Sequence, residues 1–177
     1  MASNTIASKL LEQNKDAAKT YQPMPLFSEL SSLGLEVPHT LIITCADPRI
    51  SPEKFLDLGP VGPVIIRNVC GHVAPALNDI VSLDSLVNFT DVIIVHHTDC
   101  GSLMMKNENV RNYIKKELPE AKDVDSMKFG GTIEIHQSVK DDLAILRASP
   151  LIKKDLREHS YGFILDIKTG EFITVDA

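Results

Sequence analysis

The stretch "HTLIITCAD", residues 39–47, decides the fold. Apolar and β-branched side chains run through it almost unbroken, with no polar alternation. A strand apolar on both faces is buried on both faces, as in a mainly parallel sheet covered by helices. "PVIIRN" (63–68) and "TDVIIVHHTDCG" (90–101) read as two more buried strands. Between and after them come helical patterns. "PALNDIVSLDSLVNF" (75–89) carries Leu77, Ile80, Val81, Leu83, Leu86 and Val87 at helical spacing. Further helices are expected over 104–118 and 133–148, with a shorter one near 150–158. Ser51 followed by Pro52 is an N-cap and first-turn signal, so a short helix is expected over 51–58. The closing "YGFILDIKTGEFITVD" (161–176) has two alternating runs about a "KTGE" turn and reads as a hairpin. The expected architecture is α/β: a mainly parallel β-sheet flanked by helices, with an antiparallel C-terminal edge hairpin.

At 177 residues the chain is expected to be a single domain, large enough to bury a core unaided. An amphipathic helix is expected over 3–19, with Ile6, Leu10, Leu11 and Ala17 in register and Pro23 and Pro25 ending the region. Residues 1–22 are read as an N-terminal helical arm. The formal net charge of −6 leaves no basic stripe to displace counterions, which argues against nonspecific nucleic-acid binding. No apolar run approaches the roughly 18 residues that span a bilayer, so no membrane insertion is expected. The N-terminus lacks the apolar core of a secretory signal, and a cytoplasmic address follows as the expectation. In that compartment three cysteines read as metal or catalytic groups before they read as disulfides.

Ligands in open α/β sheets gather at the carboxyl ends of strands. Cys45 closes the first strand, and His97 and Cys100 close the third. A full crossover separates the two segments, so both strand ends can share one edge. Two thiolates and one imidazole then meet, a known catalytic zinc set whose fourth position is left to water or substrate. Two thiolates neutralise Zn²⁺ and weaken it as a Lewis acid, so the bound water needs help from its surroundings. Asp47 can accept a hydrogen bond from that water or occupy the open position itself. Arg49 can clamp the carboxylate bidentately and set its direction, and Pro48 stiffens the turn between them. His96, opposite His97 by alternation, is read as structural.

These residues resemble the β-class carbonic anhydrases. The family pattern, Cys-x-Asp-x-Arg then His-x-x-Cys, is matched here by Cys45, Asp47, Arg49, His97 and Cys100. "VIIRNVCGHV" is similar to the family's "RNAG"-type segment, and "HHTDCG" resembles a compact branch with a double histidine. The resemblance implies a zinc-bound hydroxide attacking CO2 to give bicarbonate, with Cys45, His97 and Cys100 as ligands. It implies Asp47 and Arg49 as the pair gating the fourth position. It also implies a homodimer or higher homo-oligomer, with the N-terminal helix laid on the partner or folded back on its own subunit. That branch contains carbonyl sulfide hydrolases and the wider fold carbon disulfide hydrolases, so carbonyl sulfide stands as the alternative substrate. Val69, Cys70, Val73, Leu103, Met104 and Met105 are the expected wall residues. Cys70 and His72 depart from the pattern. Cys70 reads as a buried spectator or a pocket residue, and His72 as an exposed loop histidine or a proton shuttle. Two other classes remain: a structural zinc domain closed by Cys70, and a thiol enzyme using Cys45.

Overall fold

The computed structural model describes residues 5–59 and 61–177. They fall into two compact units, one ending at Glu36 and the other covering Val37–Ala177.

The first unit contains α1 (Ile6–Ala17) and two short 3-10 turns. Thr5 caps α1 by accepting a hydrogen bond from the Ser8 N–H at 3.2 Å. The helix buries none of its residues. Residues 3 and 4 of the expected helix lie outside the described chain.

The second unit is built on a five-stranded sheet of β1 (Thr40–Cys45), β2 (Val64–Asn68), β3 (Asp91–His97), β4 (Ser160–Leu165) and β5 (Phe172–Val175). Their order is β2-β1-β3-β4-β5, parallel throughout except for the antiparallel β4–β5 pair. The α/β expectation and its edge hairpin therefore hold. Leu41, Ile42 and Ile43 are 0–2% exposed, so neighbouring β1 side chains are buried on both faces. Each such side chain is worth about 1.5–3 kcal/mol against leaving it in water, which commits both faces to cover.

Among the described residues of this unit there are four α-helices: α2 (Leu77–Val87), α3 (Asn107–Glu117), α4 (Ile135–Ala148) and α5 (Lys154–Glu158). Helix α4 packs on β3 and β4 through Val139, Leu143 and Leu146, all buried. The Glu134 carboxylate caps it by accepting from the His136 and Gln137 N–H groups at 2.7 and 2.6 Å. Ser149 then turns extended ahead of Pro150, as a residue before proline must. Among the described residues, no helix is long and apolar enough to cross a membrane.

Two expectations are corrected. Residues 51–58 form only a single 3-10 turn, Pro52–Lys54. Ser51 does not cap it, and its hydroxyl accepts from Arg67 Nη1 at 3.2 Å instead. Strand β2 is only half-buried because it lies at the sheet edge, so its apolar run does not signal burial on both faces.

Candidate metal centre

Strands β1 and β3 are parallel neighbours, with Thr44 opposite Val95. Cys45 and His97 therefore end on the same edge of the sheet. The Thr44 hydroxyl donates to the Val95 carbonyl at 2.9 Å and ties the two strands together at that edge. Beyond His97 the chain turns through Asp99, in the left-handed region at φ 54°, and returns Cys100 beneath the strand end. The loop after β2 closes from the other side. A Cβ on Gly71 would come within 2.9 Å of the Thr44 backbone, and its φ of 87° suits glycine alone.

Cys45, His97 and Cys100 each present one donor atom within 4.8 Å of the others, and all three residues are buried. The two sulfurs are 3.8 Å apart. Two sulfurs each about 2.3 Å from a tetrahedral zinc stand about 3.8 Å apart, so the pair has the spacing of a ligand edge. His97 Nδ1 donates to the Thr98 carbonyl at 2.9 Å, which fixes the ring and leaves Nε2 with the lone pair. That Nε2 is buried and has no hydrogen-bond partner. Such an orphaned nitrogen costs about 1–3 kcal/mol unless something binds it. The donor set therefore fits a soft or borderline divalent cation such as zinc. The thiols are electrostatically unequal: the bond to Cys100 pushes Cys45 far up, and bonds from Cys45 and Cys70 pull Cys100 far down.

Asp47 stands at the rim of this group. Its Oδ2 is 4.0 Å from His97 Nε2. Arg49 grips the carboxylate through Nε at 3.0 and 3.1 Å and through Nη2 at 2.7 Å, while its N–H donates to Oδ1 at 2.9 Å. The Arg49 bonds hold the Asp47 carboxyl down to about 2, although burial works the other way. Arg49 is itself held from its far side, with Nη1 on the Asp99 carboxylate at 2.7 Å and Nη2 on the Asp99 carbonyl at 2.8 Å.

Several contributors escaped the sequence reading. Arg67 donates to the Cys45 carbonyl at 3.1 Å and the Asp47 carbonyl at 2.7 Å, pinning the end of β1. The buried Ser102 hydroxyl lies 3.2 Å from the sulfurs of both Cys100 and Cys70. Asp142 was signalled in principle: it falls on the same face of α4 as Ile135, Val139 and Leu146, an acid among apolar positions. His72 is not an exposed loop residue. It is half-buried, bonded to Asp142 and to the Gly130 carbonyl. Of the expected wall residues, Val69 lines a cleft of about 790 Å³ with His72 and Asp142, whereas Val73 is sealed in the core and Met104 is 82% exposed.

The family profile described as carbonic anhydrase matches residues 40–172, from the start of β1 to the start of β5, including the site. Beta-carbonic anhydrase 1 of Mycobacterium bovis is 22% identical over 169 residues, covering 94% of this chain and 96% of that protein. A carbon disulfide hydrolase of Acidianus is 29% identical over 153 residues, covering 72% of each. Among solved structures, the carbonic anhydrase of Streptococcus mutans superposes with a TM-score of 0.80 at 25% identity, covering 97% of this chain and 98% of that one. The chain thus belongs to the β-class carbonic anhydrase family.

Proposed function

We propose that this protein is a zinc-dependent enzyme that reversibly hydrates CO2 to bicarbonate. Cys45, His97 and Cys100 are assigned as the metal ligands, and Asp47 with Arg49 as the pair that governs the remaining position. The observation that carries this reading is the two-sulfur, one-nitrogen donor set, with sulfurs 3.8 Å apart and an unpartnered His97 Nε2 between them and Asp47. Zinc, when bound there, supplies a Lewis acid that makes water a nucleophile near neutral pH.

The chain's own residues do the rest. With its carboxyl held down to about 2, Asp47 is ionised at every working pH and serves as a hydrogen-bond acceptor, not as the proton carrier. Arg49, gripped by Asp47 and Asp99, keeps that carboxylate from swinging into the donor set. His97 keeps one tautomer through the Thr98 carbonyl. The three free thiols fit a reducing compartment such as the cytosol.

Hydrolysis of carbonyl sulfide is the second reading. It draws on the 29% identity to a carbon disulfide hydrolase and on the same attack of water on a linear, cumulated carbon. The β-carbonic anhydrase relative covers 94% of the chain against 72%, which favours CO2. The test is zinc content followed by initial rates on CO2, carbonyl sulfide and carbon disulfide with one preparation. Fast CO2 hydration by a zinc-loaded protein is expected. Slow CO2 hydration with efficient hydrogen sulfide release would assign the second reading, and a folded protein without affinity for zinc would end both.

A further inference from the structure

Two thiolate ligands weaken zinc as a Lewis acid, and Asp47 with Arg49 acts at the remaining position, not on the sulfurs. Ser102 is placed to act on a sulfur. It lies two residues beyond Cys100, in the 3-10 turn Gly101–Met104, and is buried. Its hydroxyl oxygen is 3.2 Å from Cys100 Sγ and 3.2 Å from Cys70 Sγ. The Ser102 carbonyl accepts from the Met105 and Thr132 N–H groups at 3.1 and 3.2 Å, which fixes the turn and the place of the hydroxyl. A hydroxyl has one hydrogen to give, so the two sulfurs compete for it.

Charge and surroundings decide that competition. A ligating cysteine is held as the thiolate. A hydrogen bond to an ionised acceptor is roughly twice as strong as one to a neutral acceptor, so Cys100 is the better target. Cys70 is 1% exposed, where an unpaired thiolate would be costly, so it stays a thiol. Its own hydrogen has an acceptor in His96 Nδ1, 3.8 Å from Cys70 Sγ. The Asp142 carboxylate, 3.3 Å from His96 Nε2, favours the ring proton on that side and leaves Nδ1 free to accept. The Ser102 hydrogen is thereby turned to Cys100.

We propose that Ser102 is a positioning residue for the metal centre. Its hydroxyl donates to the Cys100 sulfur, draws charge off that thiolate and limits the loss of Lewis acidity that two thiolates impose. Hydrogen bonds to a ligating sulfur are a recognised means of tuning a metal, and the groups that make them hold the ligand in place as well. Ser102 acts through Cys100 and does not itself reach the open position. This role rests on the assignment of Cys100 as a ligand, so the test separates the two.

The full chain is stripped with a chelator and reloaded with Co²⁺, whose thiolate-to-cobalt charge-transfer band reports electron density on the sulfurs. Ser102→Ala is expected to move that band to longer wavelength. The same variant should lose about 10–100-fold in Zn²⁺ affinity at neutral pH, measured by competition with a chelating dye. Ser102→Thr keeps the hydroxyl and should return the band toward its wild-type position. Cys70→Gly, which suits the φ of 63° at that position, should leave the band where it is. Ser102→Ala removes only the hydroxyl oxygen and keeps the backbone bonds of the turn; circular dichroism establishes that each variant is folded. If Ser102→Thr does not fold, Ser102→Ala and Cys70→Gly decide between them. A band unmoved in Ser102→Ala overturns the role of Ser102 alone, whether or not Cys70→Gly shifts it. A wild type that binds Co²⁺ without a thiolate band, or a Cys100→Ser variant that keeps the wild-type band, overturns the ligand assignment instead.

Discussion

Asp47 is close enough to the donor group to touch what binds there and is held away from it by a guanidinium. Its Oδ2 is 4.0 Å from His97 Nε2 while three Arg49 contacts lie at 2.7–3.1 Å. Asp47→Ala is therefore expected to keep its metal and to lose turnover by about 10²–10³-fold, the range for removing one preorganised hydrogen-bonding group from an active site. Metal analysis with stopped-flow rates at neutral pH checks both halves; near-normal rates would remove Asp47 from the mechanism. The His72–Asp142 pair makes a pH prediction. Burial pushes the Asp142 carboxyl up, but His72, His96 and the Val73 N–H outweigh it and hold it below the usual carboxylate range. Asp142 in turn raises His72, against the effect of burial. A depressed acid contributes stability above about pH 4 and loses it as pH falls through its folded value. A raised histidine contributes fully below about pH 6.5 and loses it as pH rises through its folded value. The pair thus stabilises most between these limits. With chelator present, His72→Gln should lower the melting temperature more at about pH 5.5 than at about pH 9; an equal loss at both would refute a charged pair.

Among the elements, the contact between β4 and α4 leaves no room for a side chain at Gly162. A Cβ on Gly162 would stand 2.5 Å from Val139 Cγ1 and 2.8 Å from Leu143 Cδ1, both in the core. Gly162→Ala should cost about 1–3 kcal/mol by forcing α4 off the sheet, read as a lower denaturant midpoint. No change in midpoint would mean that the helix yields freely. Most elements were legible from pattern because β1, β3 and α4 bury their apolar faces, and burial writes the period into the sequence. The failures share one cause. Residues 51–58 carried a capping residue that a distant arginine took for itself, and β2 carried a buried-strand composition at a sheet edge. Neither fact is local.

At the scale of the molecule, α1 carries an apolar stripe and buries none of its residues. Ile6, Leu10 and Leu11 are 76%, 58% and 64% exposed. A second copy of the chain is the expected cover, since such a stripe is rarely left in water. Leu10→Glu/Leu11→Glu should shift the assembly toward monomer in sedimentation without loss of secondary structure, because α1 buries none of its residues. An unchanged sedimentation coefficient would exclude α1 from any interface.

The sequence by itself determined the class of sheet, the antiparallel hairpin and the family, and with them the five motif residues. Strand-end position is a local property, and Cys45, His97 and Cys100 declare it by following apolar runs. Only the tertiary structure decided what stands around them. Ser102 against the Cys70 thiol, Asp99 behind Arg49, Arg67 on the Cys45 carbonyl and Asp142 beside His72 are contacts made between separate segments. Polar contacts between residues 20–70 positions apart leave no period and no spacing in a chain. They exist only once burial of the sheet has fixed which elements are neighbours.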